Sequence, residues 1–304
     1  MTDLRRGALV VGATSPVGSA IFRELSQRYE VVGTHHRNPD GNTVPFDLAD
    51  DDPGALPVDW DTLGAIVVAG GLTKLDACAR DPDASARVNV DGTLRLIQHA
   101  QHSGIAPIFL SSDAVFSGEL PHPLPRPKTE TDPVDPITAY GRQKRAVEDV
   151  LLGSTGTVLR LSKLVSTRPE DGGFLPDLAA QLLRAEPLRA ATDQFLNLTW
   201  TVDVARVVGF AIAESLFGLW HVAAEPVRSR YDWSIALARE LGVSEGLVQP
   251  CSLSDFEFLE PRPKDCSLNG SRLQQRLRWT LRAGDRLISD IAGRGQLDSG
   301  IPRD

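Results

Sequence analysis

Short apolar runs that each stop at a glycine or a polar cluster constrain this chain most. Ala8-Leu9-Val10-Val11 stops at Gly12, and Glu30-Val31-Val32-Gly33-Thr34 runs into His35-His36-Arg37. Val44-Pro45-Phe46 leads to Asp47-Leu48, Ala65-Ile66-Val67-Val68 to Ala69-Gly70-Gly71, and residues 105–110 to Ser111-Ser112-Asp113. Runs this short and mostly apolar read as parallel strands buried on both faces. The first is followed by a helical pattern with Val17, Ile21, Phe22 and Leu25 on one face, and residues 83–101 read as another helix. Five strand–helix alternations within about 150 residues predict an α/β fold built on a doubly wound parallel sheet. Thr157-Val158-Leu159-Arg160-Leu161 extends the sheet as a sixth strand, and Leu219-Trp220-His221-Val222 adds one more. Sheets of this kind bind ligands beyond the carboxyl ends of their strands, where every cluster just named falls.

Gly12-Ala13-Thr14-Ser15-Pro16-Val17-Gly18 joins the first strand to its helix. Thr14 or Ser15 can cap that helix, and Pro16 suits its first position. Strand, glycine turn and helix together present backbone N–H groups to a pyrophosphate, although Ser15 occupies the place of the usual middle glycine. The second strand ends without the acid that would hold an NAD ribose. Arg37, next to His36, could instead pair with a 2′-phosphate, which favours NADP(H) and still allows NAD(H). The plainer reading of His35, His36 and Arg37 is a solvated loop. Asp47-Leu48 is placed to meet an adenine edge, and at Ala69-Gly70-Gly71 a cofactor could approach the backbone.

Tyr140 and Lys144 stand one helical turn apart in Tyr140-Gly141-Arg142-Gln143-Lys144 and continue through Val147 and Leu151 along one face. An inward lysine is costly without a polar partner. A cation beside a phenol lowers its pKa from about 10 and makes it a proton donor or acceptor near neutrality. The plainer reading is a buried ring beside a snorkelling lysine.

The net charge of −8 argues against a nucleic-acid partner. Three cysteines, 78, 251 and 266, match no metal spacing and read as reduced thiols of a cytoplasmic protein. Arg5-Arg6 precedes only a short apolar run, so no secretory leader is expected, and no apolar stretch approaches the ~18 residues of a membrane helix. Six prolines in residues 120–136 make a stiff loop, either a surface linker or a lid. Residues 1–165 form the expected dinucleotide-binding domain, to which the chain returns at about 191–222. Residues 166–190 and 223–304 form the expected smaller substrate-binding lobe, with helices at 174–184, 234–241 and 283–291 and fraying from Gly293.

In a doubly wound sheet Ser112 and the Tyr140 helix lie side by side, over the nicotinamide end of a dinucleotide held at Gly12–Gly18. With these segments the sequence resembles the extended short-chain dehydrogenase/reductases, in their dTDP-4-dehydrorhamnose reductase-like, sugar-nucleotide-binding branch. Further matches are Asp76-Ala77-Cys78-Ala79-Arg80-Asp81-Pro82 with Val88-Asn89-Val90, and Leu110-Ser111-Ser112-Asp113-Ala114-Val115-Phe116-Ser117-Gly118. Leu159-Arg160-Leu161-Ser162, Asp193-Gln194, Asp203-Val204-Ala205, and Arg262-Pro263 with Ser267-Leu268 follow in order.

The resemblance implies a Rossmann-type sheet with a smaller C-terminal substrate-binding lobe closing over a nucleotide-linked sugar. It implies that Tyr140 gives a proton to the carbonyl oxygen. Lys144 would hold the nicotinamide ribose and depress the Tyr140 pKa, and Ser112 would hydrogen-bond the same oxygen. Ala69-Gly70-Gly71 would pass near the nicotinamide ribose and Asp47-Leu48 near the adenine. Asp113, Ala114, Lys163, Asp193 and Gln194 fall on the substrate side, and no metal is implied. Ala114 stands where dehydratases carry glutamate, which disfavours dehydration. Lys163 replaces a common aromatic, and Leu196 and Leu198 replace the usual glycine and proline.

Three functions follow as expectations. The first is NADP(H)-dependent reduction of a keto group, at C4, on a nucleotide-linked deoxysugar, in a cytoplasmic enzyme with no nucleic-acid or membrane partner and with room for homodimerisation. The second is an NADP-binding regulatory subunit without turnover, like the β subunit of methionine adenosyltransferase. The third is an epimerase or ketoreductase acting on a non-sugar substrate.

Overall fold

The computed structural model describes residues 7–120 and 124–299. Its first half alternates strand and helix: β1 (Gly7–Val11), α1 (Pro16–Leu25), β2 (Glu30–His35), β3 (Thr43–Pro45) and β4 (Leu63–Val68). Then come α2 (Leu75–Arg80), α3 (Pro82–Ala86) and α4 (Thr93–His102), β5 (Pro107–Ser112), α5 (Ala139–Leu152) and β6 (Thr157–Leu161). A wider π-helical turn, Arg87–Gly92, joins α3 to α4, so the helix expected over 83–101 is one rod with a bulge. The second half holds β7 (Lys163–Val165), α6 (Phe174–Leu183), β8 (Leu188–Ala191), β9 (Phe195–Trp200), α7 (Thr201–Ala213) and β10 (Gly218–Val222). It ends with β11 (Val227–Ser229), α8 (Arg230–Leu241), β12 (Val248–Cys251), α9 (Ser271–Gln274) and α10 (Gly284–Ser299).

The seven-stranded sheet runs β10-β6-β5-β4-β1-β2-β3 and is parallel throughout. Order reverses at β1, between β2 and β4, which opens a crevice at the carboxyl ends of β1 and β4. One face is covered by α1 and α7, where Val17, Ile21 and Leu25 meet Val204, Val207 and Val208. The other is covered by α4 and α5, with Leu96, Ile97, Val147 and Leu151 against Leu9, Ile66 and Phe109.

A second core lies to one side, with Leu175, Leu182, Leu196, Leu198, Trp233, Leu237 and Leu287 at its centre. Small sheets β11-β9-β7 and β12-β8 belong to it. The expected return at about 191 is therefore corrected to Thr201. β9 turns Leu196 and Leu198 into the lobe's core, and the chain rejoins the main sheet only with α7 and β10. The third strand ends at Pro45, before Asp47-Leu48, and α10 runs to Ser299 where fraying from Gly293 was expected. Helix α7 and strands β7 to β9 carry the apolar content that sequence reading had left unassigned.

In the proline-rich segment, residues 121–123 lie outside the described residues. Beyond them Lys128 N–H donates to Ser267 O at 2.9 Å, Asn269 N–H to Lys128 O at 2.8 Å, and Arg126 N–H to Asp265 at 2.8 Å. Its described part is thus tied to the C-terminal segment and is not among the residues lining the cleft described below, against the lid reading. Beneath it sits a buried polar cluster. Arg160 donates to both Glu148 oxygens, at 2.9 and 2.6 Å, and Ser111 to Glu148 at 2.5 Å. His221 accepts from Arg160 through Nε2 at 3.5 Å and donates through Nδ1 to Lys128 O at 3.0 Å. Burial, then the neighbouring guanidinium, pushes the His221 pKa down to about 3, so the ring is neutral.

Removing one partner of a buried pair leaves the other charge uncompensated, which costs about 3–5 kcal/mol, whereas removing both is far milder. Arg160→Met should therefore lower the urea-unfolding free energy by about that amount, and Arg160→Met with Glu148→Leu should recover most of it. Equal losses in the single and double variants would contradict this account.

Candidate active site

The carboxyl ends of β1, β4, β5 and β6 and the near edge of the lobe enclose a cleft of about 820 Å³. Its floor is backbone. Gly12 has φ +83°, and a Cβ there would lie 2.5 Å from Gly70 Cα, so neither a side chain nor ordinary backbone geometry is accommodated. A Cβ on Gly18 would lie 2.1 Å from Gly12 O, because the first turn of α1 rests on the end of β1. Ser15 adopts an extended conformation, φ −75° and ψ 157°, which needs no glycine. Its Oγ donates to Gly12 O at 2.9 Å and accepts from Gly18 N–H at 3.1 Å. The serine in place of the middle glycine therefore closes the turn on itself and caps α1.

Thr14, Ser15, Pro16 and Val17 line the cleft, and Gly18 lies beneath them, outside the lining. At the end of β2, His36 and Arg37 also line it, with Asn38, which sequence reading missed. His36 Nε2 lies 3.2 Å from Asp47 Oδ2, while Arg37 makes no ion pair among the described residues. Asp47 and Leu48 do not line the cleft. Leu48 is buried in the core, and Asp47 accepts from Ala49 N–H at 2.9 Å. Ala69, Gly70 and Gly71 do line it. The loop after them is clamped by Asn89 in the π-helical turn, which accepts from Leu72 N–H at 2.8 Å and donates to Leu72 O at 2.9 Å.

Ser112, Tyr140 and Lys144 converge on this floor. Thr138 caps α5 by accepting from Gly141 N–H at 3.1 Å, and Gly141 is needed because a Cβ there would lie 2.1 Å from Ala114 O. Tyr140 is buried among Cys78, Ala114 and Ala139. Lys144 Nζ donates to Leu110 O at 2.8 Å and stands 5.5 Å from the Tyr140 ring centre. Burial lowers the lysine to about 8, with Glu148 one turn on pulling it back up. The expectation that Lys144 depresses the Tyr140 pKa is not met. Burial, then the charges of Asp113 and Cys78, push the phenol above its ordinary value, and the Ser112 hydroxyl only partly offsets them. The ammonium serves a backbone carbonyl instead.

Asp113 and Ala114 follow on the same strand end and line the cleft. The lobe contributes Lys163, Gln194, Arg230 and Arg262, the two arginines unforeseen as site residues. Arg230 Cζ stands 4.7 Å from the Phe174 ring centre, Lys163 Nζ 5.7 Å from the same ring, and the Arg230 Nε–H bonds Gln194. Burial lowers the Lys163 pKa, with the Arg230 charge acting in the same direction. Arg262 pairs with Asp76 through Nη2, while its buried Nη1 has no hydrogen-bond partner. Asp193 is engaged elsewhere, with Lys264 at 2.9 Å, Leu253 N–H at 2.6 Å and Ser252 at 2.9 Å, and does not line the cleft. Glu260, from the same segment as Arg262, accepts from Ala139 N–H at 3.0 and 2.9 Å and from Arg142 at 2.9 Å. Among the described residues no group of acidic, histidine or cysteine side chains could hold a metal ion, and no helix is long and apolar enough to cross a membrane.

A doubly wound sheet, a glycine floor and a Ser, Tyr and Lys set beside it define the extended short-chain dehydrogenase/reductase class. Residues 6–291 match the model of the RmlD substrate binding domain, and the chain belongs to that family. It is 27% identical over 266 residues to the dTDP-4-keto-6-deoxy-D-glucose reductase of Streptomyces niveus, covering 84% of this chain and 86% of that protein. It is 25% identical over 281 residues to the methionine adenosyltransferase 2 subunit beta of Bos taurus, covering 88% and 82%. A crystal structure of a dTDP-4-dehydrorhamnose reductase from Clostridium acetobutylicum superposes with a TM-score of 0.82 at 24% identity, over 95% of this chain and 99% of that one.

Gly18→Ala tests the floor. Overpacking of this kind costs about 1–3 kcal/mol, so the variant should melt at lower temperature. It should also lose the rise in melting temperature that NADP gives the unsubstituted protein. A full NADP-induced rise in the variant would place the cofactor elsewhere.

Proposed function

We propose that this protein uses NADPH to reduce a keto group on a nucleotide-linked deoxysugar. The observation that carries the reading is the pairing of two halves in one cleft. Ser112, Tyr140 and Lys144 stand over a floor without side chains, and three cations, Lys163, Arg230 and Arg262, face them from the lobe. The floor fits a dinucleotide, because Gly12 and Gly70 pack backbone to backbone and present no side chain to the cleft, and the N-terminus of α1 favours phosphate. Arg37, at the end of β2 and without an ion pair among the described residues, fits a 2′-phosphate. The buried Nη1–H of Arg262 lacks an acceptor, a costly state that a diphosphate oxygen would relieve. The similarity to a reductase of a dTDP-linked keto sugar supports the same substrate class.

When bound, the nicotinamide supplies the hydride that the carbonyl carbon takes up. The chain's own residues do the rest. Because burial raises its pKa, the Tyr140 phenol keeps its proton across the neutral range, which suits an acid giving that proton to the carbonyl oxygen. Lys144, fixed by Leu110 O on the adjacent strand, places positive charge beside the phenol as it loses its proton. Ala114 offers no carboxylate for removing a second proton, so the chemistry stops at reduction. The free thiols fit a reducing compartment, and we place the protein in the cytoplasm.

One other reading has specific support, the similarity to a methionine adenosyltransferase subunit. A stable complex with a second protein, with no NADPH oxidation over a panel of keto-sugar nucleotides, would favour it. Under the reductase reading, Tyr140→Phe keeps the NADP-induced rise in melting temperature and lowers turnover of dTDP-4-keto-6-deoxy-D-glucose by about 10²-fold or more, the size of a lost general acid. Turnover like that of the unsubstituted protein would sink the assignment. Arg37→Ser should weaken NADP binding about tenfold or more while leaving NAD binding nearly unchanged, since only the former carries the phosphate that a guanidinium bonds. Titration calorimetry with both dinucleotides reads this directly.

A further inference from the structure

The Ser112 hydroxyl has a single hydrogen, and that hydrogen is engaged. Oγ donates to Asp113 Oδ1 at 2.7 Å and accepts from Ala114 N–H at 3.2 Å. An ionised carboxylate only accepts hydrogen bonds, so in that state the serine hydrogen is held by its neighbour and withheld from the cleft. A protonated carboxyl has an O–H of its own. It can donate to Ser112 Oγ, and the serine hydrogen is then free to turn toward a carbonyl oxygen. We propose that Asp113 is a positioning residue that sets the polarity of the Ser112 hydrogen bond, its acid form sending the serine hydrogen to the substrate oxygen and its carboxylate form withholding it.

This inference rests on the reductase reading and adds to it a requirement that the three-residue set does not contain. The proton on Asp113 comes from solvent and stays there through turnover, so the balance of hydride and phenol proton is unchanged.

The surroundings favour the acid form. Burial lifts the Asp113 carboxyl to about 6, while its bond from Ser112 and the Lys163 ammonium pull it back. The groups facing it are Ser112 on its own strand end, Tyr140 on α5, Lys163 on β7 and Cys266 in the C-terminal segment. Burial holds both the Tyr140 phenol and the Cys266 thiol in their neutral forms. Lys163 is lowered by burial and by Arg230, and Lys144, bonded to Leu110 O, titrates near 8. Among these groups, Asp113 is therefore the one whose charge changes between pH 5 and 7. The sign follows: serine donation is available below the folded pKa and is lost as pH rises through it.

Two measurements decide the matter. The first needs no turnover. Infrared difference spectra of the aspartate-labelled protein between pH 5 and 8 should show a carboxylic-acid band with a midpoint near 6 that is missing in Asp113→Asn. Absence of that band overturns the proposal whether or not the protein reduces a sugar. The second is the pH profile of kcat with NADPH and dTDP-4-keto-6-deoxy-D-glucose. Turnover should fall about tenfold per pH unit above the midpoint, as for any single essential proton. In Asp113→Asn the amide N–H₂ donates to Ser112 at every pH, so the profile should lose that fall, and the ratio of variant to unsubstituted turnover should climb with pH. Ser112→Ala, slower throughout, should lose the fall as well. A flat profile between pH 5 and 7 in the unsubstituted protein, or a fall in that range that survives in either variant, overturns the proposal. If no keto-sugar nucleotide is turned over at any pH, the reductase reading fails on its own, and the infrared measurement still decides the state of Asp113.

Discussion

The cleft depends on a contact in which no side chain takes part. Gly12 and Gly70, at the ends of neighbouring parallel strands, bring their backbones so close that a Cβ on the first would stand 2.5 Å from the Cα of the second. Gly18 then lets α1 settle on the end of β1, and Ser15 seals the turn from within. The result is a helix whose first turn lines the crevice where strand order reverses. Ser112, Tyr140 and Lys144 matter only in relation to that floor, because it determines where a dinucleotide would lie against them.

Over the floor, burial governs the chemistry more than pairwise attraction does. It raises Tyr140, Cys266 and Asp113 and lowers Lys144 and Lys163, so each of these groups is moved toward its uncharged form. The tyrosine and lysine are near each other, yet the lysine spends its hydrogen bond on Leu110 O. A buried cation takes the acceptor within reach, and here that acceptor belongs to the next strand. The net effect on the phenol is that it keeps its proton, while the lysine's hydrogen bond goes to the backbone.

Much of this was legible in the sequence. Each strand of the first half announced its end with a glycine or polar cluster, and the spacing of Tyr140, Lys144, Val147 and Leu151 correctly gave the buried face of α5. What stayed hidden depended on contacts between distant segments. Arg230 and Arg262 sit in stretches whose local pattern says only helix or loop. They become site residues because β9 and the C-terminal segment fold back to the cleft. Asp193 stood in a familiar segment, yet Lys264 and Ser252 claim its oxygens. Asp47 was expected to serve a ligand and serves the turn that follows it. Strands β7 and β8 are only three and four residues long, and β9 pairs with β7 and β11 across the lobe, so no local run declares the partners. The hydrogen bond from Ser112 to Asp113 joins sequence neighbours and was still not readable, since it needs the strand-end geometry to bring Oγ onto the carboxylate.

Glu260 joins the two parts of the molecule in a further way. Its carboxylate, carried by the segment that also holds Arg262, closes the start of the helix that bears Tyr140, through the N–H of Ala139. That one segment therefore lines one side of the cleft through Arg262 and holds the start of α5 on the other through Glu260. Ala139 N–H and Arg142 both bond the same carboxylate, so the place of Arg262 at the cleft edge and the closure of the helix start depend on one stretch of chain.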